Sequence, residues 1–134
     1  MSKPTQGMVN IAEQLYEYGY RQEFKRGDWA VCKDDGKIFL IVDLAGRGKV
    51  SWYYSEAAAS GLIHEDELIP VPSLDDALDW LNENDKFYIL SGTDVGAVLK
   101  THLYSLSAES ARRVALMAMF KVISSKEKKE ENDN

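Results

Sequence analysis

Few side chains in this chain of 134 residues are suited to chemistry at a reaction centre. The sequence contains two histidines, His64 and His102, and one cysteine, Cys32. A catalytic serine or cysteine needs an adjacent base, and none of the local patterns that place such a base is present in the sequence. We therefore expect a protein that is not an enzyme. An enzyme without a recognisable motif is the least favoured alternative.

The run from His64 to Glu67 consists of residue types that bind metal ions. In an extended chain, neighbouring side chains point to opposite faces, so at most two of these four could converge on one ion. A calcium loop would also need spaced carboxylates and a glycine. Cys32 follows Val31 in an apolar segment, which favours a buried thiol. The sequence thus predicts an acidic connector, no metal site and no cofactor.

Aromatic and basic residues lie close together in the first half of the chain, an arrangement typical of proteins that bind single-stranded nucleic acids. The residues concerned are Lys25, Arg26, Trp29, Arg47, Lys49 and Trp52. However, residues 1–72 contain eight Lys and Arg against eleven Asp and Glu, and the whole chain has a net charge of -6. A negative field opposes phosphate binding, so nucleic acid is an alternative partner that we consider disfavoured.

An apolar run from Val114 to Phe120 lies in a predicted helix. A helix that is apolar on all sides must be buried on all sides or must contact a partner. One possibility is full burial within the monomer, and the other is a homodimer through this helix or through an exposed sheet edge. The candidate interface residues are Val114, Leu116, Met117, Met119, Phe120 and Ile123. This run favours a non-enzymatic protein-interaction module that self-associates.

The first half of the chain has the pattern of one helix followed by a bent antiparallel β-meander. Apolar spacing predicts a helix over about Val9–Tyr18, preceded by a loose segment. Three β-rich runs at 29–33, 38–42 and 50–54 are separated by turns at Asp35-Gly36 and at 46–48. Residues 56–60 are expected to form a single helical turn that ends at Gly61, followed by a short strand.

The second half is predicted to be an α-β-β-α unit, so the fold class is α+β, with the meander packed against this unit. Ser73 is the expected N-cap of a helix over about Leu74–Asn82, and Ser107 of a helix that ends near Ile123. Two strands, 86–90 and 97–104, lie between these helices. Because two prolines at 70 and 72 force an extended chain, we place subdomain boundaries at 1–72 and 73–124. Residues 125–134 are expected to form a disordered charged tail.

Two stretches of the sequence resemble known families. The run from Phe24 to Val31, followed by the Asp-Gly hairpin, resembles the opening of SH3 and Tudor barrels. The run from Glu67 to Leu78, the hairpin after it, and the run from Ser107 to Phe120 are similar to uncharacterised proteins of Gram-positive bacteria and their phages that carry the phage ABA sandwich domain. The resemblance implies an SH3-like meander and a prophage-type accessory protein. Its partner would be a second copy or a host or phage protein.

The cysteine content and the apolar runs of the sequence indicate the cellular compartment of the protein. A single cysteine excludes an internal disulfide and fits a reducing environment. The residues after Met1 are polar, and no apolar run approaches the roughly 20 residues that span a bilayer. We therefore expect a cytoplasmic protein without a membrane partner.

Overall fold

The protein forms two compact units, described here separately from a computed structural model. The structure describes residues 3–84, 88–93, 96–101 and 105–132. Unit 1 is Met1–Val71 and unit 2 is Pro72–Asn134. Helices accompany antiparallel sheet in both units, which confirms the predicted α+β class.

Unit 1 consists of a helix and a five-stranded antiparallel sheet. Its elements are α1 (Gln6–Glu17), β1 (Trp29–Cys32), β2 (Ile38–Gly46), β3 (Lys49–Tyr54), β4 (Ala59–His64) and β5 (Leu68–Val71). A short 3-10 turn, Glu65–Glu67, connects β4 to β5. The strand order is β4-β3-β2-β1-β5, so the last strand pairs with the first and lies at one edge. Pro70 lies in this edge strand. This agrees with the prediction that proline does not occupy an inner strand of the sheet.

The two faces of this sheet support separate apolar cores because alternate residues of a strand point to opposite faces. One core consists of Phe24, Ala30, Cys32, Phe39, Ile41, Val50 and Leu68. The other joins α1 to the sheet and consists of Val9, Ala12, Trp29, Val31 and Val71. The buried thiol predicted for Cys32 is confirmed.

Two predictions for unit 1 were wrong in detail. Helix α1 begins at Gln6, inside the segment expected to be loose, because the Thr5 side chain caps it by accepting the Met8 N–H at 3.3 Å. The strand expected after Gly61 is present as β4, but it begins at Ala59, within the segment expected to form a helical turn. Ala58 has a φ of 50°, so the chain turns there and the following residues pair with β3. The expected turn at 46–48 is present, with Arg47 and Gly48 both at positive φ.

Unit 2 contains two helices and a three-stranded sheet. Its elements are α2 (Leu74–Asn84), β6 (Tyr88–Thr93), β7 (Gly96–Thr101), β8 (Ser105–Ala108) and α3 (Ala111–Asn132). Helix α3 packs against α2 and against all three strands. The predicted α-β-β-α order therefore lacked one strand. Ser107 lies in β8 opposite Val98, and Ser110 is the residue whose hydroxyl accepts an N–H, from Arg113 at 3.2 Å, at the start of α3.

The boundaries of the unit 2 helices test the expected caps. The hydroxyl of Ser73 accepts the N–H of Asp76 at 3.0 Å, while the Asp76 carboxylate accepts the N–H of Ser73 at 3.2 Å, so the predicted cap is confirmed. Helix α3 continues to Asn132, beyond the expected end near Ile123 and through most of the segment predicted to be disordered. Lys and Glu are good helix formers, which favours this continuation. The predicted strand residues 86–87 and 102–104, including His102, lie outside the described residues.

Candidate functional site

The structure places the two tryptophans proposed for base stacking on opposite faces of the unit 1 sheet. Trp29 is 8% exposed and packs in the core formed with α1. Trp52 is half-buried and packs on the other face, where its ring stacks on Phe39 with the ring centroids 4.4 Å apart. These rings therefore share no surface on which successive bases could stack.

Two of the four basic residues in the same set are paired with carboxylates. Lys25 Nζ lies 3.0 Å from the carboxylate of the buried Asp28, and Arg26 Nη2 lies 2.8 Å from that of Asp43. Arg47 lies in the turn between β2 and β3, and Lys49 is the first residue of β3. The carboxylates of Asp28 and Asp43 reduce the positive potential at Lys25 and Arg26.

The six candidate interface residues on α3 divide into two groups. Val114, Leu116 and Met119 have no exposed surface. Met117, Phe120 and Ile123 are half-buried. Because α3 packs against α2 and the three strands, the first group belongs to the core of the chain and is not available to a second copy. For Val114, Leu116 and Met119, full burial within the monomer is therefore the correct alternative.

The edge formed by β5 has no free backbone donor. The N–H of Lys33 donates to Glu67 at 3.0 Å, so every second residue from Glu67 onward faces β1, and Leu68 and Pro70 face outward. The N–H of Leu68 donates to the carbonyl of Glu65, and proline has no N–H. A cavity beside this edge is lined by Leu68 and Pro70, by Tyr16 of α1, and by Phe24 from the segment that follows α1. This edge is therefore closed to a further strand.

The edge formed by β4 is open. The N–H of Glu65 donates to Gly48 at 2.8 Å, so alternate residues pair with β3, and Ser60, Leu62 and His64 direct their backbone groups outward. Over the part of the chain that the structure describes, β4 has β3 as its single sheet neighbour. Leu62 is 62% exposed, the highest value among the large apolar side chains that the structure describes as exposed. Residues 59–64 include no Asp, Glu, Lys or Arg.

Ring contacts hold β4 against β3. The Trp52 ring covers Gly61, where an added Cβ would lie 3.0 Å from Cζ2 of the ring. An added Cβ on Gly48 would lie 2.9 Å from Nε2 of His64. His64 also accepts the N–H of Asp66 at its Nδ1 atom, at 3.2 Å. A side chain at either glycine would therefore collide with one of these rings, and the close packing holds β4 against β3.

A small polar network holds the turn that precedes β4. The hydroxyl of Tyr54 donates to Glu56 at 2.6 Å, and Lys3 is ion-paired with the same carboxylate. The hydrogen bond to Glu56 raises the pKa of Tyr54 above its ordinary value. The hydrogen bonds from Lys3 and Tyr54 lower the pKa of Glu56. The carboxylate is therefore stabilised in its charged form beside the open edge.

The remaining site predictions concern metals, membranes and family. Among the described residues, no group of three or more His, Cys, Asp or Glu side chains is placed to hold a metal ion. No helix in the same residues is both long and apolar enough to span a membrane. The chain matches no protein-family model, no curated protein and no solved structure.

Proposed function

We propose that the protein is a non-enzymatic protein-interaction module that self-associates by adding a strand at the open edge of β4. One observation carries the proposal, namely the contrast between the two edges of the unit 1 sheet. The β5 edge has no free donor, while the β4 edge presents the backbone groups of Ser60, Leu62 and His64. Sheet edges with free donors and acceptors pair with strands of other chains, and natural proteins usually protect them.

Charge and side-chain exposure support the same edge. Because β4 lacks charged residues in a chain of net charge -6, it is a segment where two copies meet with little repulsion. Leu62 adds apolar surface that pairing would remove from water. An interface on α3 is less favoured, because Val114, Leu116 and Met119 are buried and cannot contact a second copy.

We further propose that unit 1 contains an SH3-like meander. The order in which β1 lies between β2 and β5, with a 3-10 turn before β5, supports this resemblance. A cytoplasmic location, a phage-related origin and a host or phage protein as partner stay predictions. Binding of single-stranded nucleic acid is not proposed, because Trp29 and Trp52 lie on different faces.

Sedimentation velocity over a wide range of protein concentration tests the proposal. We expect the wild type to associate reversibly and Leu62→Lys to weaken association roughly tenfold or more, because a lysine on an edge strand opposes pairing with another strand. Val42→Lys is the matched control, since Val42 is 45% exposed but lies in the central strand β2. It introduces the same charge and should associate as the wild type does.

Two results would contradict the proposal. One is a wild type that stays monomeric at every concentration. The other is a Leu62→Lys variant that remains folded, as judged by its circular dichroism spectrum, and associates as strongly as the Val42→Lys control.

A further inference from the structure

We propose that the added strand is β4 of a second copy, antiparallel to the first and related to it by a two-fold axis at Leu62. This inference rests on the proposed function and specifies its partner segment. The edge of β5 is excluded as the incoming strand because it lacks donors. Pairing of one strand with itself is isologous and stops at a dimer, whereas pairing of β4 with a different strand would leave an open edge and continue into a chain of copies.

Because outward-facing and inward-facing residues alternate along β4, only some registers of the pairing between two copies are possible. Residues that face outward on one copy must meet residues that face outward on the other, so a two-fold axis lies at a residue and not between two residues. The axes that pair at least two of the three outward residues with one another lie at Gly61, Leu62 and Ile63. An axis at Leu62 pairs Leu62 with itself and Ser60 with His64 in both directions. All three outward residues then exchange backbone hydrogen bonds.

The other two axes use the edge less fully. An axis at Gly61 pairs Ser60 with Leu62 and leaves His64 beyond the strand of the second copy, while an axis at Ile63 leaves Ser60 without a strand partner. The axis at Leu62 also brings the two exposed leucine side chains together on one face of the sheet. Cross-strand apolar pairs of this kind stabilise antiparallel sheets.

Charge is compatible with this register. The axis at Leu62 places Glu65 of one copy, the first residue of the 3-10 turn, opposite Ala59 of the other. The pairing therefore brings no like charges directly opposite each other within the strand.

Isotope-filtered NMR on a mixture of labelled and unlabelled wild-type protein tests the register. In an antiparallel ladder the residues of a non-hydrogen-bonded pair have Cα atoms about 4.5 Å apart, which brings their Hα atoms into direct contact. The axis at Leu62 makes Gly61 of one copy and Ile63 of the other such a pair. We expect an intermolecular contact between the Gly61 and Ile63 Hα atoms, and a dimer as the largest species in sedimentation.

The outcomes separate this inference from the proposed function. A dimer that lacks the Gly61–Ile63 contact, or that shows Gly61–Gly61 or Ile63–Ile63 contact instead, overturns the register. Growth beyond a dimer that Leu62→Lys abolishes overturns the two-fold pairing but leaves self-association at β4 in place. A wild type that is monomeric at all concentrations overturns both.

Discussion

Truncation of Leu116 to alanine tests whether α3 is core or interface. The Leu116 side chain has no exposed surface, and α3 packs against α2 and against the three strands. Packing against several elements limits the collapse that could fill the cavity, so we expect the free energy of unfolding to fall by about 3 kcal/mol. With a urea dependence of about 1.5 kcal/mol per molar, the unfolding midpoint should fall by roughly 2 M.

The assay is urea denaturation followed by circular dichroism. The reference protein and the Leu116→Ala variant should both carry Leu62→Lys, so that association at β4 does not contribute to the free energy of unfolding. Met117→Ala is the control, because Met117 is half-buried and its truncation should cost about 1 kcal/mol. If Leu116→Ala costs no more than Met117→Ala, or if its cost disappears on dilution, then Leu116 contacts a second copy and the assignment of α3 to the core is refuted.

Three smaller perturbations follow from contacts described above. Ser73→Ala removes the hydroxyl cap of α2 and should lower the free energy of unfolding by about 1 kcal/mol in urea denaturation, and no change would mean that the cap is dispensable. Glu56→Gln removes the carboxylate that raises the pKa of Tyr54, so this pKa should move down towards its ordinary value in an NMR titration, and an unmoved pKa would exclude Glu56 as the cause. Gly61→Val places side-chain atoms against the Trp52 ring and should cost about 1–3 kcal/mol in unfolding monitored by tryptophan fluorescence, whereas wild-type stability would show that the ring moves aside freely.

Local signals were sufficient for several elements. The cap at Ser73 depends on residues three positions apart, and it forms as the sequence predicts. The strand β8 could not be predicted in the same way, because Ser107 and Ser110 are both good helix caps and the residues between them favour neither as the start of the helix. Pairing of β8 with β7 decides between the two serines, and pairing is a property of the folded sheet.

The start of β4 was predicted too late in the chain for a related reason. Alanines before Gly61 favour a helical turn by propensity, but the chain turns at Ala58 and pairs with β3. Which faces Trp29 and Trp52 occupy depends on the register between strands, and a linear pattern does not contain that information.

The strand order of unit 1 has a consequence for how the unit folds. Each pair from β1 to β4 joins strands that follow one another in the chain, but the ladder between β1 and β5 joins Cys32 to Leu68 and Trp29 to Val71. Closing a flexible loop of roughly 40 residues costs about 3 kcal/mol in chain entropy before any contact offsets it. Local hairpins form without this cost, so we expect the β1–β5 ladder to be acquired last and to limit the folding rate of the unit.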